Sequence, residues 1–205
     1  MTHRLFTIGH SVMQSSMFLE ILEQFRICVV VDVRSNPQSQ RHPQFDRVEL
    51  ESALPKAGIR YVFLGEELGG RPDDPKAYGG DGLVDYRARR RSYAFQAGIE
   101  RVVRELDQND LVLLCAEEDP LSCHRFLMIC PELVALGLEP LHIRKGGETE
   151  SQRDAEDRLL QCQQLDAVAG ASLFSSDRET ALENAYVAQA KKCAFRIDTA
   201  ELYRW

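Results

Sequence analysis

The chain has 205 residues, 44% of them hydrophobic, so it can bury one real core; its length fits one domain or a domain with an appendage. Its 25 basic and 32 acidic residues leave a net charge of −7, which excludes a broad nonspecific nucleic-acid coat but not a local basic pocket. No apolar run approaches a membrane span, and six cysteines without framework spacing, behind an N-terminus that lacks a signal-peptide core, predict reduced thiols in a soluble cytoplasmic protein.

Taken in order, Arg4–Gly9 reads as a short strand ending in His10-Ser11. A helix follows, capped at Ser15 or Ser16, with Phe18, Ile21, Leu22 and Phe25 on one face. Ile27–Val33 is a β-branched run, the mark of a buried strand, and Asp32 and Arg34 share a face at its end. Phe45–Ala57 predicts a helix stopped by Gly58, Ile59–Leu64 a third strand, and Gly65–Pro72 a long loop. One helix is predicted from about Tyr86 to Leu106, its Arg87–Arg91 run a solvated face. Leu138–Ile143 predicts a fifth strand, reaching Arg144-Lys145. From Glu148 onward two helices, Glu148–Ala167 and Arg178–Ala194, predict an extension (148–205) packed on the 1–147 domain.

Between these elements lies Leu111–Arg125, LVLLCAEEDPLSCHR. Leu111–Leu114 has the continuous apolar character of a strand buried on both faces. An acidic turn follows, and Asp119-Pro120 signals a cap and first turn that would place Cys123, His124 and Arg125 at a helix N-terminus. Strands alternating with helices predict a Rossmann-like α/β fold: a mostly parallel sheet flanked by helices, with a helical C-terminal extension. Ligands of such sheets bind beyond the carboxyl ends of the strands. There the chain offers His10, Arg34, Cys115, Glu117 and Arg125, which are expected around one cavity.

The motifs TIGHS (7–11), VVDVRSNPQS (30–39), GIRYVFLGEELGGR (58–71), LLCAEEDPLSCHR (113–125) and HIRKGG (142–147) together resemble the domain of unknown function 488 family. The later segment 172–192 resembles that family's tail; Lys145-Gly146 stands where the resemblance implies Asp-Gly. The resemblance implies a Rossmann-like fold and names no reaction, substrate or cofactor.

The residues carry the chemistry instead. Cys123, beside His124, Arg125 and a helix terminus, has the setting of a low-pKa thiolate, with Cys115 either its resolving partner or a small buried strand-end residue. His10 and Glu117 are the acid–base candidates. Arg34, Arg71 and Arg125, with Arg144 nearby, suit an anionic ligand, or pair with neighbours such as Asp32, Glu117 and Glu118. Cys115, Cys123, His124 and His10 also offer soft metal donors. However, C-x7-C-H is no established zinc spacing, adjacent residues diverge on a helix, and the P-C-x-x-C element of zinc deaminases is absent, so no metal is assigned.

The leading expectation is an enzyme acting on a phosphate-bearing or other anionic small molecule such as a nucleotide. Arg34, Arg71 and Arg125 would bind it, with Cys115 and His124 beside them, and His10, Glu117 and Cys123 would act on it. A non-catalytic nucleotide or nucleic-acid sensing module is the alternative. A third is a sulfur carrier, since VVDVR at 30–34 and a cysteine at a strand end are similar to rhodanese features.

Overall fold

Apolar β-branched and leucine-rich runs too short for helices become the strands here. The computed structural model describes residues 3–165 and 175–198. Its sheet comprises β1 (Leu5–Gly9), β2 (Val29–Asp32), β3 (Arg60–Phe63), β4 (Leu111–Cys115), β5 (Leu141–Ile143) and β6 (Thr149–Ser151), in the order β3-β2-β4-β1-β5-β6. The first five strands run parallel, and β6 pairs antiparallel with β5. Every residue of β1, β2 and β4 is buried, as continuous apolar runs require when both faces are covered.

Alternate strand residues feed two cores. Phe6, Ile8, Val30, Val112 and Leu114 pack under α1 (Ser15–Gln24) and α2 (Arg47–Lys56) through Phe18, Ile21, Leu22, Leu50 and Leu54. Leu5, Val29, Val31, Leu111 and Leu113 pack on the opposite face. Their partners are α5 (Tyr93–Leu106), the helix after β4, α7 (Gln152–Cys162) and α8 (Ser175–Cys193). The α/β architecture follows from the periodicity of the sequence, and among the described residues no helix is long and apolar enough to cross a membrane.

Several elements differ from expectation for local reasons. The loop after β3 contains a short helix, α3 (Gly65–Leu68). The long helix predicted from Tyr86 is two helices, α4 (Tyr86–Arg90) and α5, because Asp85 and Ser92 each cap a fresh N-terminus by accepting backbone N–H groups. The Arg87–Arg91 run is not uniformly solvated: Arg89 is buried and donates to the Glu66 and Glu67 carbonyls. The predicted helix from Glu148 opens instead as β6, and Ser151 then caps α7. Residues 166–174, which hold the end of the predicted Glu148–Ala167 helix and the connection to the next one, lie outside the described residues.

The largest correction concerns the central segment. Pro120–Ser122 forms one 3-10 turn capped by Asp119, and Cys123 then returns to an extended conformation (φ −127°, ψ 139°). The helix starts only at His124. Arg125–Ile129 winds as a π-helix ahead of α6 (Cys130–Ala135), where Pro131 has no N–H to close an ordinary α-turn.

Candidate functional site

The strand order makes one crevice. From β1 the chain leaves through α1 toward β2 on one face of the sheet; from the adjacent β4 it leaves over the other face toward β5. Neighbouring strands that depart in opposite directions open a gap at their carboxyl ends. The loop after β4 crosses this gap: His10 N–H donates to the Cys115 carbonyl, and Ser11 N–H to that of Ala116. A Cβ on Gly9 would lie 1.6 Å from the Glu117 carbonyl oxygen, so only glycine admits the crossing.

A cavity of about 710 Å³ sits above this edge, lined by His10, Arg34, Arg71, Cys115, Glu117 and His124 among others. Two sequence-predicted residues do not line it. Cys123 lies just beneath, 1% exposed, and Arg125 deeper, 0% exposed. A second cavity, about 770 Å³, lies between α4, α6 and α8; it is lined largely by aliphatic side chains and ion-paired surface residues, and Tyr86 borders both cavities.

Two of the predicted anion ligands are fully engaged inside the protein. Arg34 forms a fork with Asp32: Nε donates to Oδ1 at 2.9 Å and Nη2 to Oδ2. Nη2 also reaches the Phe45 carbonyl at 2.8 Å, and Nη1 donates to His10 Nε2 at 3.1 Å. Among the described residues Arg125 pairs with no carboxylate; Nη1 and Nη2 hold the Glu117 and Glu118 carbonyls at 2.6 and 2.8 Å, and Nε holds Thr7 Oγ1 at 3.2 Å. It fixes the path of the β4 loop. The carboxylates beside it go elsewhere: Glu118 to Arg144, and Asp119 to Arg158.

His10 also serves the architecture. Its Nε2 accepts from Arg34, so Nδ1 carries the proton and donates to the Ser11 carbonyl at 3.0 Å. Its ring stacks on Phe45 at 4.3 Å. Burial, reinforced by the Arg34 charge, lowers its pKa to about 4. With both nitrogens engaged and the ring neutral, His10 has no lone pair to offer a substrate proton.

The remaining candidates converge. Sγ of Cys115, a carboxylate oxygen of Glu117, Sγ of Cys123 and a ring nitrogen of His124 all lie within 4.8 Å of one another. Cys115 Sγ is 3.0 Å from Glu117 Oε2 and 3.7 Å from His124 Nδ1, and Cys123 Sγ is 4.0 Å from that same nitrogen. His124 Nε2 donates to the Val33 carbonyl at 2.9 Å, which leaves Nδ1 as the atom that faces the sulfurs. Cys123 is extended and His124 opens the helix, and at this junction Cys123 Sγ and His124 Nδ1 come to 4.0 Å of each other. Gly70 leaves room for the imidazole, since a Cβ there would lie 2.9 Å from His124 Cγ.

Proton affinities in the cluster are driven in opposite directions. Burial acts to raise the Cys123 thiol, but the Cys115 hydrogen bond and the charges of Arg125 and His124 outweigh it and hold Cys123 well below its ordinary value. The Arg125 backbone N–H, 3.4 Å from Cys123 Sγ, acts in the same sense. Burial and the neighbouring Cys123 push Cys115 the other way, well up. Desolvation, then the Cys123 charge, raises the Glu117 carboxyl. Burial opposes but does not cancel the pull of Cys123 on His124, whose pKa is raised. A thiolate, a protonated thiol and a carboxyl thus share one small space.

The cavity has a cationic rim that was only partly visible in the sequence. Arg71 reaches it with its guanidinium 4.7 Å from the Phe195 ring centroid. Phe195 and Arg196 come from the C-terminal segment, which is pinned across the opening: Val84 N–H donates to the Phe195 carbonyl and Ile197 N–H to that of Gly82. No local motif announces these two residues; only the tail's return to residues 82–84 brings them in.

The family model for the domain of unknown function DUF488 matches residues 14–129. No curated protein matches the chain. A solved structure of a phosphatase candidate of DUF442 from Shewanella putrefaciens CN-32 is 13% identical, with 94% of this chain and 89% of that one aligned and a TM-score of 0.33.

Proposed function

We propose, for a chain that belongs to the DUF488 family, an enzyme that acts on an anionic small molecule such as a nucleotide in the cavity at the carboxyl edge of the sheet. One observation carries this reading: a cluster of groups with displaced proton affinities and a cationic, aromatic rim share the same cavity. A volume of about 710 Å³ suits a small ligand, and perturbed titratable groups gather where chemistry is done. Arg71 and Arg196 supply the anion side, with Phe195 as an apolar wall. Cys115, Glu117, Cys123 and His124 supply the reacting side. Arg34, Arg125 and His10 hold that arrangement in place rather than touch the ligand. The surroundings of Cys115 favour this over a sulfur carrier, because its sulfur meets a carboxylate and an imidazole rather than a ring of backbone donors.

Turnover and thermal stabilisation on a panel of nucleotides and phosphate esters test the reading. A bound ligand raises the melting temperature by mass action, and added salt weakens the effect. Arg71→Ala is expected to raise KM about tenfold, the loss of one charge-assisted contact, while kcat stays within about twofold. Saturable stabilisation without turnover would assign the protein to the binding-module class instead. A panel that neither stabilises nor turns over would remove the anionic-ligand reading.

A further inference from the structure

We propose that Cys115, Cys123, His124 and Glu117 form a binding site for one thiophilic divalent cation, zinc being the best match. Zinc bonds of about 2.3 Å to sulfur and about 2.0–2.1 Å to nitrogen or oxygen place tetrahedral ligand atoms about 3.3–3.8 Å apart. The contacts of 3.0, 3.7 and 4.0 Å, with all four atoms inside 4.8 Å, bracket that spacing. Two sulfurs, an imidazole nitrogen and a carboxylate oxygen are a donor set that zinc accepts and that magnesium or calcium does not favour.

The surroundings are those of a metal site in three further respects. A metal-binding histidine donates its other ring N–H to a carbonyl or carboxylate, which fixes the ring and aims the free lone pair. His124 does so through Nε2 to the Val33 carbonyl. Next, the charges balance: two thiolates and a carboxylate carry three negative charges, which a divalent cation and the adjacent buried Arg125 neutralise together. Finally, the cluster opens on the cavity, so an ion has a path in. Adjacent Cys123 and His124 would diverge on one helix, but Cys123 precedes the helix and its Sγ lies 4.0 Å from His124 Nδ1, within reach of one ion.

The ligands are unequal. Cys115 and Cys123 are buried and His124 is half-buried, while Glu117 alone is exposed. Glu117 is therefore the ligand that a water or a substrate oxygen can replace, which would turn a closed site into one with an open position. That catalytic consequence rests on the enzyme reading above; the site itself does not.

The decisive experiment uses the full chain. Protein purified without chelators is assayed for metal, then stripped and titrated with Co²⁺ as a spectroscopic probe and with Zn²⁺ in competition. One equivalent of Co²⁺ is expected, with a near-ultraviolet sulfur-to-metal charge-transfer band and intense visible bands of tetrahedral coordination, all abolished by Zn²⁺. Cys123→Ser and His124→Ala should each weaken binding by more than the ~10–100-fold typical of losing an outer-shell partner. Cys28→Ser, at an exposed thiol outside the cluster, should change nothing. Should the variants fail to fold, the wild type still decides, because bound zinc should shield Cys115 and Cys123 from alkylation and leave Cys28 open. Absence of the sulfur band at full Co²⁺ occupancy, or a Cys115–Cys123 disulfide in protein that retains no metal, would overturn the site. Turnover undiminished in fully stripped protein would overturn its catalytic consequence alone. Tight zinc binding without turnover on any anion would leave the site standing and remove the enzyme reading.

Discussion

In the Asp32–Arg34–His10 network each guanidinium nitrogen of Arg34 meets an acceptor, and in the neighbouring Cys115–Glu117–Cys123–His124 cluster two sulfurs, a carboxyl oxygen and a ring nitrogen crowd within 4.8 Å of one another. Both groupings sit at the carboxyl edge of one sheet and both are rich in ionisable groups. The first is closed: charges cancel, hydrogen bonds are complete, and nothing further is wanted. Arg125 with Thr7, His142 and Gln152 extends the same type of network along β1 and β5, Thr7 Oγ1 accepting from Arg125 and donating to His142 Nδ1. The second crowds a thiol of lowered proton affinity against a carboxyl whose own is raised by burial and by that thiol. A protein maintains such an arrangement at a cost in stability, which is expected of a functional site and not of scaffolding.

Acid should break the closed networks first and most. His10 and His142 are both neutral, each with one ring nitrogen donating and the other accepting, and burial lowers both pKa values to about 4. The unfolded chain takes up these protons near pH 6.5, before the folded one does, so stability rises with pH across this window. It is fully present above about pH 6.5 and is lost as pH falls toward 4, by about 3 kcal/mol for each imidazole. Urea unfolding at pH 7, 5.5 and 4.5 should show the decline, and His142→Gln should roughly halve it, leaving the share of His10. A stability that is level over this range would mean that the imidazoles are not held neutral.

Removing Arg125 should be the next largest effect. Arg125→Met leaves the Glu117 and Glu118 carbonyls and Thr7 without their donor and deprives Cys123 of a counter-charge. A loss of about 3–5 kcal/mol is expected, the scale of breaking a buried charged network. Arg125→Lys should recover only part of it, because one ammonium cannot span both carbonyls and the hydroxyl. If Arg125→Lys folded with full stability but failed to bind anions, Arg125 would belong to the ligand site after all.

How much of this was legible in the sequence differs between the two groupings. Strands such as VVVD and LVLLC, and the amphipathic α1 and α5, follow from local periodicity, and so does the sheet with helices on both faces. The gathering of His10, Arg34, Cys115 and Glu117 at one edge follows from their places just beyond strand ends. What each arginine touches does not. Residue type marks Arg34 and Arg125 as anion ligands, yet each is committed to groups inside the fold, and Arg125 takes the backbone carbonyls of Glu117 and Glu118 rather than their carboxylates. The four-atom cluster was hidden by one torsional choice. The cap signal at Asp119-Pro120 predicts a continuous helix, but the turn stops after Ser122, Cys123 is extended, and its sulfur ends 4.0 Å from His124 Nδ1.

The smallest predicted effect separates the two groupings most sharply. Asp32 and Glu117 both lie beside strand ends at this edge, yet Asp32 meets Arg34 and Tyr61, while Glu117 meets two sulfurs and an imidazole. Desolvation and the Cys123 thiolate raise the Glu117 carboxyl above its ordinary range, so the folded metal-free protein holds that proton more tightly than the unfolded chain does. Ionised Glu117 therefore works against the fold, and its contribution becomes less favourable as pH rises through the carboxylate range. Glu117→Gln keeps the shape and removes the charge. In chelator-treated protein at pH 7 it should leave stability within about 0.5 kcal/mol of the wild type, on the favourable side, as for an exposed substitution. Asp32→Asn, which strips Arg34 of its counter-charge, should cost about 3–5 kcal/mol in the same assay. With zinc present the sign for Glu117→Gln should reverse, because the amide is the poorer ligand and the metal's stabilisation of the folded state shrinks. Equal losses for Glu117→Gln and Asp32→Asn in the metal-free protein would show that the cluster is scaffolding like its neighbour.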